Sequence, residues 1–288
     1  MVPENKTCLV LDWGLEPYGR ILALQQELVA SRKAGRIPDV LLLGEHTPVI
    51  TLGRNARREN LLLPEDELAR RGVEVHETDR GGDVTYHGPG QLVGYPILDL
   101  TALRKDVVWY VRSLEEVLIR AASSFGINAT RKVSPSGLPA EALAKAGAQK
   151  RKQQLYTGVW VGEEKLAAIG VHLSRWVTSH GFAFNVTTNL SHFDFIVPCG
   201  LRDKGVTSLS RLLPYRSAQR PVLSEAEGPL PLGPTGRGPW AQQEDGALMR
   251  EAKAAVVAAF GEVFHRQMRE TVLDSLEGSL AAQQAAAS

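Results

Sequence analysis

The chain has 288 residues, near the upper end for a single hydrophobic core and short for two full domains. Its 43% hydrophobic and 23% charged residues are ordinary for a soluble globular protein, and 33 Lys plus Arg against 32 Asp plus Glu leave a formal charge of +1, which gives no support for general nucleic-acid binding. No apolar run approaches the ~20 residues that span a bilayer, and the two cysteines, Cys8 and Cys199, form neither a disulfide framework nor a metal-ligand spacing.

The opening decapeptide carries Glu4 and lacks a long apolar stretch, so it does not read as a secretion signal, and a reducing cytoplasm is the expected home. Thr7–Asp12 reads as a strand, with Cys8 a small buried hydrophobe. A helix follows from about Tyr18 to Ala34, ended by Gly35. Val40–Leu43 and Val49–Leu52 flank Glu45-His46-Thr47-Pro48 and read as a buried β pair with a tight connection. A second helix runs from Asp106, a plausible N-cap, to Phe125, with Val107, Val111, Leu114, Leu118 and Ala121 at helical spacing.

From Thr157 to Asn185 the pattern returns to β, with Gly158–Val161 and Lys165–Val171 as a hairpin about Gly162-Glu163-Glu164. A last helix is predicted over Ala247–Met268, with Val256, Phe260, Val263 and Phe264 inward. Strands and helices are interspersed without a regular βαβ repeat, which favours an α+β domain, a mixed β-sheet flanked by helices. One catalytic domain is expected over residues 1–275. Residues 133–154 and 214–240 read as flexible insertions, the second holding six of the sixteen prolines, and 276–288 as a disordered tail. No chemistry is expected in these three segments.

Three features can carry chemistry. In Arg80-Gly81-Gly82-Asp83-Val84-Thr85-Tyr86-His87-Gly88-Pro89-Gly90-Gln91, five of twelve residues are Gly or Pro, so the backbone turns sharply and can approach a ligand. It is either a substrate-binding loop or a tight hairpin with polar residues, and it lacks the order of a phosphate loop. Lys165 heads a strand on which alternation puts Lys165, Ala167 and Ile169 on one face. It is either a solvated hairpin end or an ammonium with a partner or a task. Cys199 sits between Pro198 and Gly200, which take it out of regular structure, where a thiol can be reached; a nearby cation would raise its thiolate fraction. His172, His180 and His192 are not at metal-ligand intervals, although Gly181 permits His180–Asn185 to line a cleft; His76 and His265 read as surface residues.

Taken together these segments resemble the lipoyl(octanoyl)transferase family. The matches are Gly44-Glu45-His46-x-Pro48-Val49-x-Thr51-x-Gly53, the Arg80–Gln91 loop, Gly158-Val159-Trp160, Lys165–Gly170, His180–Ala183 and Pro198-Cys199-Gly200, in order across about Leu9 to Leu212. The resemblance implies the catalytic fold of biotin and lipoate protein ligases, and transfer of an octanoyl group from acyl carrier protein to a lysine of lipoyl domains. It implies Cys199 as the thioester nucleophile and Lys165 as the residue that lowers its pKa. It also implies that the acyl substrate is bound by Arg80, Gly81, Gly82, Asp83, Val84, Thr85, Tyr86 and His87, by Ala168, Ile169 and Gly170, and by Gly181, Phe182 and Ala183. The expected acceptors are the lipoyl domains of 2-oxoacid dehydrogenase complexes and the glycine cleavage H protein. The expected enzyme is a monomer that uses no metal, nucleotide cofactor, nucleic acid or membrane. The apolar residues of Leu166–Val171 and the Phe182/Phe184 segment are expected to form the acyl slot. An ATP-using ligase on the same fold is disfavoured because Gly53-Arg54-Asn55-Ala56-Arg57-Arg58 lacks the further glycines of a biotin ligase phosphate loop.

Overall fold

The computed structural model describes residues 6–132, 157–197, 204–213 and 239–273. The predicted tail at 276–288, the 133–154 insertion and all of 214–240 except its last two residues lie outside them, as does Cys199.

A mixed sheet dominates the fold. β1 (Thr7–Glu16) and β2 (Asp39–His46) pair in parallel, with α1 (Tyr18–Lys33) as the crossover. β3 (Val49–Leu52), β4 (Glu74–Glu77) and β5 (Val84–His87) form a separate three-stranded sheet, with α2 (Glu65–Arg70) between β3 and β4. β6 (Gln91–Ile97) returns to the main sheet, followed by α3 (Val107–Ser123), β7 (Thr130–Arg131), β8 (Gly158–Val161), β9 (Glu164–Ser174), β10 (Val177–Asn185) and β11 (Gly205–Val206). Two helices, α4 (Leu209–Leu212) and α5 (Pro239–Phe264), precede β12 (Gln267–Thr271). The main sheet runs β12-β1-β2-β6-β10-β9-β8-β7, with β11 also on β9. Helices on both faces of this sheet give the expected α+β class.

Alternation along the central strands sorts side chains to the two faces. Leu41, Leu43, Leu92, Phe182 and Phe184 join the core under α3 and α5, whereas Val40, Leu42, Val93, Tyr95 and Ala183 join the core under α1. Cys8 is fully buried in the first of these. Asp106 caps α3 as expected, its side chain accepting from the Trp109 N–H at 3.0 Å. The buried carboxylate of Asp39 takes Arg32 Nε at 2.9 Å and Arg266 Nε at 2.8 Å, clamping the end of α1, β2 and the start of β12 together.

Three expectations are corrected. Val40–Leu43 and Val49–Leu52 are not a pair: β2 lies in the main sheet and β3 in the small one. The connection changes sheets because His46 Nδ1 and the Thr47 N–H both bond Glu16 O at the end of β1, at 3.1 and 3.2 Å. The last helix ends at Phe264, four residues early, where His265 takes φ +52 and Arg266 turns the chain. Met268 instead lies in β12, opposite Cys8 of β1. That parallel pairing joins opposite ends of the chain, and helical periodicity carries no trace of it. Finally, Lys165 does not share a face with Ala167 and Ile169. Val159 pairs with Ala167 but Trp160 with Lys165, so Leu166 is an extra residue, a β-bulge that reverses the alternation. Val159 and Val161 point into the core under α3, leaving Trp160 and Lys165 on the opposite face.

Candidate active site

The small sheet and the loops beside it stand over the α1 face of the main sheet and enclose a cavity of about 630 Å³. Of the substrate-binding residues expected from sequence, Arg80, Gly82, Asp83, Val84, Thr85 and His87 line it from one side. Ala168, Ile169, Gly170, Gly181, Phe182 and Ala183 line it from the sheet. Gly81, Tyr86 and Lys165 are not in the lining. Gly81 donates its N–H to Val171 O at 2.9 Å, and the Tyr86 ring turns into the core of the small sheet, with His192 Nδ1 on its hydroxyl at 2.6 Å.

The floor is open because its residues are small. Ala168 pairs with Ala183 and Gly170 with Gly181 across β9 and β10. The neighbouring Ile169, Phe182 and Phe184 send their side chains into the core on the far face, so the phenylalanines are not the slot expected of them. A Cβ on Gly170 would stand 2.7 Å from Gly81 O, and one on Gly181 would stand 2.1 Å from Gly94 O. Both positions therefore exclude larger residues.

Arg80, 8% exposed, is spent on holding the loop. Its Nη2 donates to Thr51 O at 2.6 Å and Asp83 O at 2.8 Å, its Nε to Thr51 Oγ1 at 3.1 Å, and its Nη1 to Gly81 O at 3.0 Å. His87 Nδ1 donates to Gln91 Oε1 at 2.7 Å, because the Gln91 amide group already donates to Tyr86 O and Asn185 Oδ1. His87 Nε2 is then an acceptor, 3.4 Å from Thr51 Oγ1. Burial, helped by His46 and Arg80, pushes the His87 pKa down to about 3, and burial pushes His46 down to about 4. Both rings are neutral at physiological pH. At the rim, Asp79 pairs with His180 Nε2 at 2.6 Å, and Arg54 Nη2 donates to His172 Nδ1 at 2.8 Å. Burial lowers the His180 pKa, against the pull of Asp79.

Lys165 is buried, 7% exposed, with Nζ 4.8 Å from the centroid of the Trp160 ring. Burial excludes the solvated hairpin end. Lys132 lies over the same indole at 4.7 Å. Cys199 is outside the described residues, and the chain on either side of it is anchored. Val197 donates its N–H to Asn60 O at 2.8 Å, and Asn60 lines the cavity. After residue 203, Lys204 ion-pairs with Glu163, and Gly205 and Val206 pair with Glu164 and Lys165. Sequence reasoning missed Tyr18, Arg54, Asn60 and Tyr95, which also line the cavity. Tyr18 and Tyr95 have the pattern of ordinary core aromatics and carry no local signal. Arg54 and Asn60 follow Gly53 in a polar stretch between short apolar runs, and that loop composition was the available cue.

The lipoyl protein ligase A/B catalytic domain family matches residues 17–224. The octanoyltransferase of Solibacter usitatus is 53% identical over 207 residues, 72% of this chain and 84% of its own length. This chain belongs to the octanoyltransferase family. It is an acyltransferase. Another member, the octanoyltransferase of Rubrobacter xylanophilus, is 48% identical over 217 residues, 73% of this chain and 88% of that protein. Solved lipoate ligases share the fold. Lipoate-protein ligase A bound with ATP has a TM-score of 0.62 at 16% identity, covering 97% of this chain and 93% of the ligase. A bi-partite lipoate protein ligase of Thermoplasma acidophilum, studied with its E2 lipoyl domain, has a TM-score of 0.59 at 16% identity, covering 97% and 91%. Among the described residues, no helix is long and apolar enough to cross a membrane.

Proposed function

We propose that this octanoyltransferase moves an octanoyl group from acyl carrier protein to a lysine of a lipoyl domain, the first step of lipoate assembly on protein, through a thioester on Cys199. The observation that carries this reading is the buried Lys165. Its backbone pairs with Val206, seven residues after Cys199, so a buried amine stands on the strand next to the one that follows the thiol. The stretch 198–203 joins Val197, tied to the cavity wall through Asn60, to the β11 residues paired with β9.

An unperturbed thiol with a pKa of about 8.5 is only a few per cent thiolate near neutrality. The Lys165 cation favours the thiolate and increases that fraction. The Cys199 thiolate attacks the carbonyl of the octanoyl thioester, and the tetrahedral intermediate collapses with loss of the carrier thiolate, which takes up a proton. The acceptor lysine, deprotonated, then attacks the Cys199 thioester, an amide forms, and the Cys199 thiolate is released. Lys165 is the candidate relay for the proton shed by the attacking amine. Backbone N–H groups beside Cys199 are the candidate donors to each oxyanion. The Ala168, Gly170, Gly181 and Ala183 floor receives the acyl chain, and at ~0.8 kcal/mol per buried CH₂ an eight-carbon chain contributes ~6 kcal/mol of binding. Because the donor is already a thioester, the transfer needs no nucleotide.

The acceptors we assign are the lipoyl domains of 2-oxoacid dehydrogenase complexes and the glycine cleavage H protein, served by a monomeric, cytoplasmic enzyme. Incubation with octanoyl carrier protein, without ATP, tests the chemistry by intact mass. The expected result is a gain of one octanoyl group, absent in Cys199→Ser and reversed by hydroxylamine; no adduct would refute the proposal. Lys165→Met is expected to slow alkylation of Cys199 near neutral pH, and equal rates would remove Lys165 from its role.

A further inference from the structure

Two buried amides remain unused by this chemistry. Gln91 on β6 and Asn185 on β10 are cross-strand neighbours, 1% and 4% exposed. Their hydrogen bonds run head to tail from the binding loop to the strand of the lysine. Thr51 Oγ1 takes two donors from Arg80 and offers its proton to His87 Nε2 at 3.4 Å. His87 Nδ1 donates to Gln91 Oε1 at 2.7 Å, Gln91 Nε2 to Asn185 Oδ1 at 2.9 Å, and Asn185 Nδ2 to Thr207 O at 2.9 Å. The Thr207 N–H donates to Lys165 O at 3.0 Å.

We infer that Gln91 and Asn185 are positioning residues that couple the seat of His87 in the cavity wall to the backbone of Lys165. The inference rests on the role proposed above for Lys165. Two physical reasons support it. First, every link from Thr51 to Thr207 O donates in the same direction through one conjugated group after another, so each bond polarises the next in sites sheltered from competing water. The Thr207 backbone then passes the positional restraint on to Lys165. Second, β11 is only two residues long, too short for its ladder to fix a register alone. Side-chain anchoring of Thr207 therefore helps decide where the Lys165 backbone sits on the bulged strand. Apolar residues of the same size would keep the buried volume without holding either end.

Asn185→Leu removes the link at nearly constant volume, and Gln91→Met severs the same line one step earlier should Asn185→Leu fail to fold. For each, kcat and KM for octanoyl transfer are measured, with the pH profile of Cys199 alkylation, in Lys165 and Lys165→Met backgrounds. The expected result is a fall in kcat of about fivefold, equivalent to ~1 kcal/mol, with KM for the octanoyl donor little changed. The alkylation midpoint should move to higher pH in the Lys165 background and show no further movement in Lys165→Met. An unmoved midpoint, or an equal movement in both backgrounds, would overturn the coupling, because a merely structural role would lower thermal stability without either signature. If Lys165→Met alone leaves the alkylation profile unchanged, the role of Lys165 itself fails, and the coupling falls with it.

Discussion

Acid should destabilise this protein well before its carboxylates titrate. His46 and His87 are both buried and neutral, with pKa values of about 4 and about 3 against an ordinary value near 6.5. A depressed histidine pKa means that the unfolded chain binds the proton first. Stability is therefore complete above the ordinary value and declines as pH falls from there toward the folded values. Between about pH 7.5 and about pH 5.5, each ring is expected to withdraw ~1.3 kcal/mol, or ~2.7 kcal/mol for the pair. His172, His180 and His192 are also lowered, each chiefly by burial, and contribute with the same sign. Urea unfolding at the two pH values, analysed by linear extrapolation, measures the loss. His46→Gln, which keeps a hydrogen-bonding side chain between Glu16 O and the Tyr95 hydroxyl, should lose ~1.3 kcal/mol less than the parent over the same interval. A parental loss below ~1 kcal/mol, or an identical loss in His46→Gln, would show that the rings are not held neutral by burial.

Two further outcomes follow from the packing. Asp39→Ala removes the buried carboxylate that Arg32 and Arg266 share, leaving Arg32 its longer contact to Asp99 at 3.7 Å, and should cost ~3–5 kcal/mol in denaturant unfolding; a cost under ~1 kcal/mol would show that the clamp contributes little. Ala168→Leu adds three carbons on the cavity floor, so octanoyl transfer should fall by at least about tenfold relative to transfer of a butanoyl group, read from the two kcat/KM values. An unchanged ratio would place the acyl chain elsewhere.

Much of this protein is written locally. The helical spacing of Leu114, Leu118 and Ala121 gives the buried face of α3, and Asp106 marks its start through its short acceptor side chain. The glycines and prolines of Arg80–Gln91 announce a tight loop, and the spaced motifs through Pro198-Cys199-Gly200 are specific enough to point to the octanoyltransferases. These features rest on residue types and short spacings, which the chain carries whatever its partners are.

Partners, by contrast, were decided only in three dimensions. A buried strand between turns has the same sequence signature whichever sheet it joins, so Val49–Leu52 gives no sign that it leaves β2 for a second sheet. The bulge at Leu166 inserts one residue opposite β8, and that single register step moves Lys165 from the core face to the face shared with Trp160. Tyr18 and Asn60 reach the cavity because α1 packs on β10 and the loop after β3 is tied to β9 through Arg54 and His172, contacts between residues more than a hundred positions apart. Alternation is a property of one strand and can be read from it; register, sheet membership and the walls of a cavity are properties of pairs, fixed when distant segments bury the same surface together.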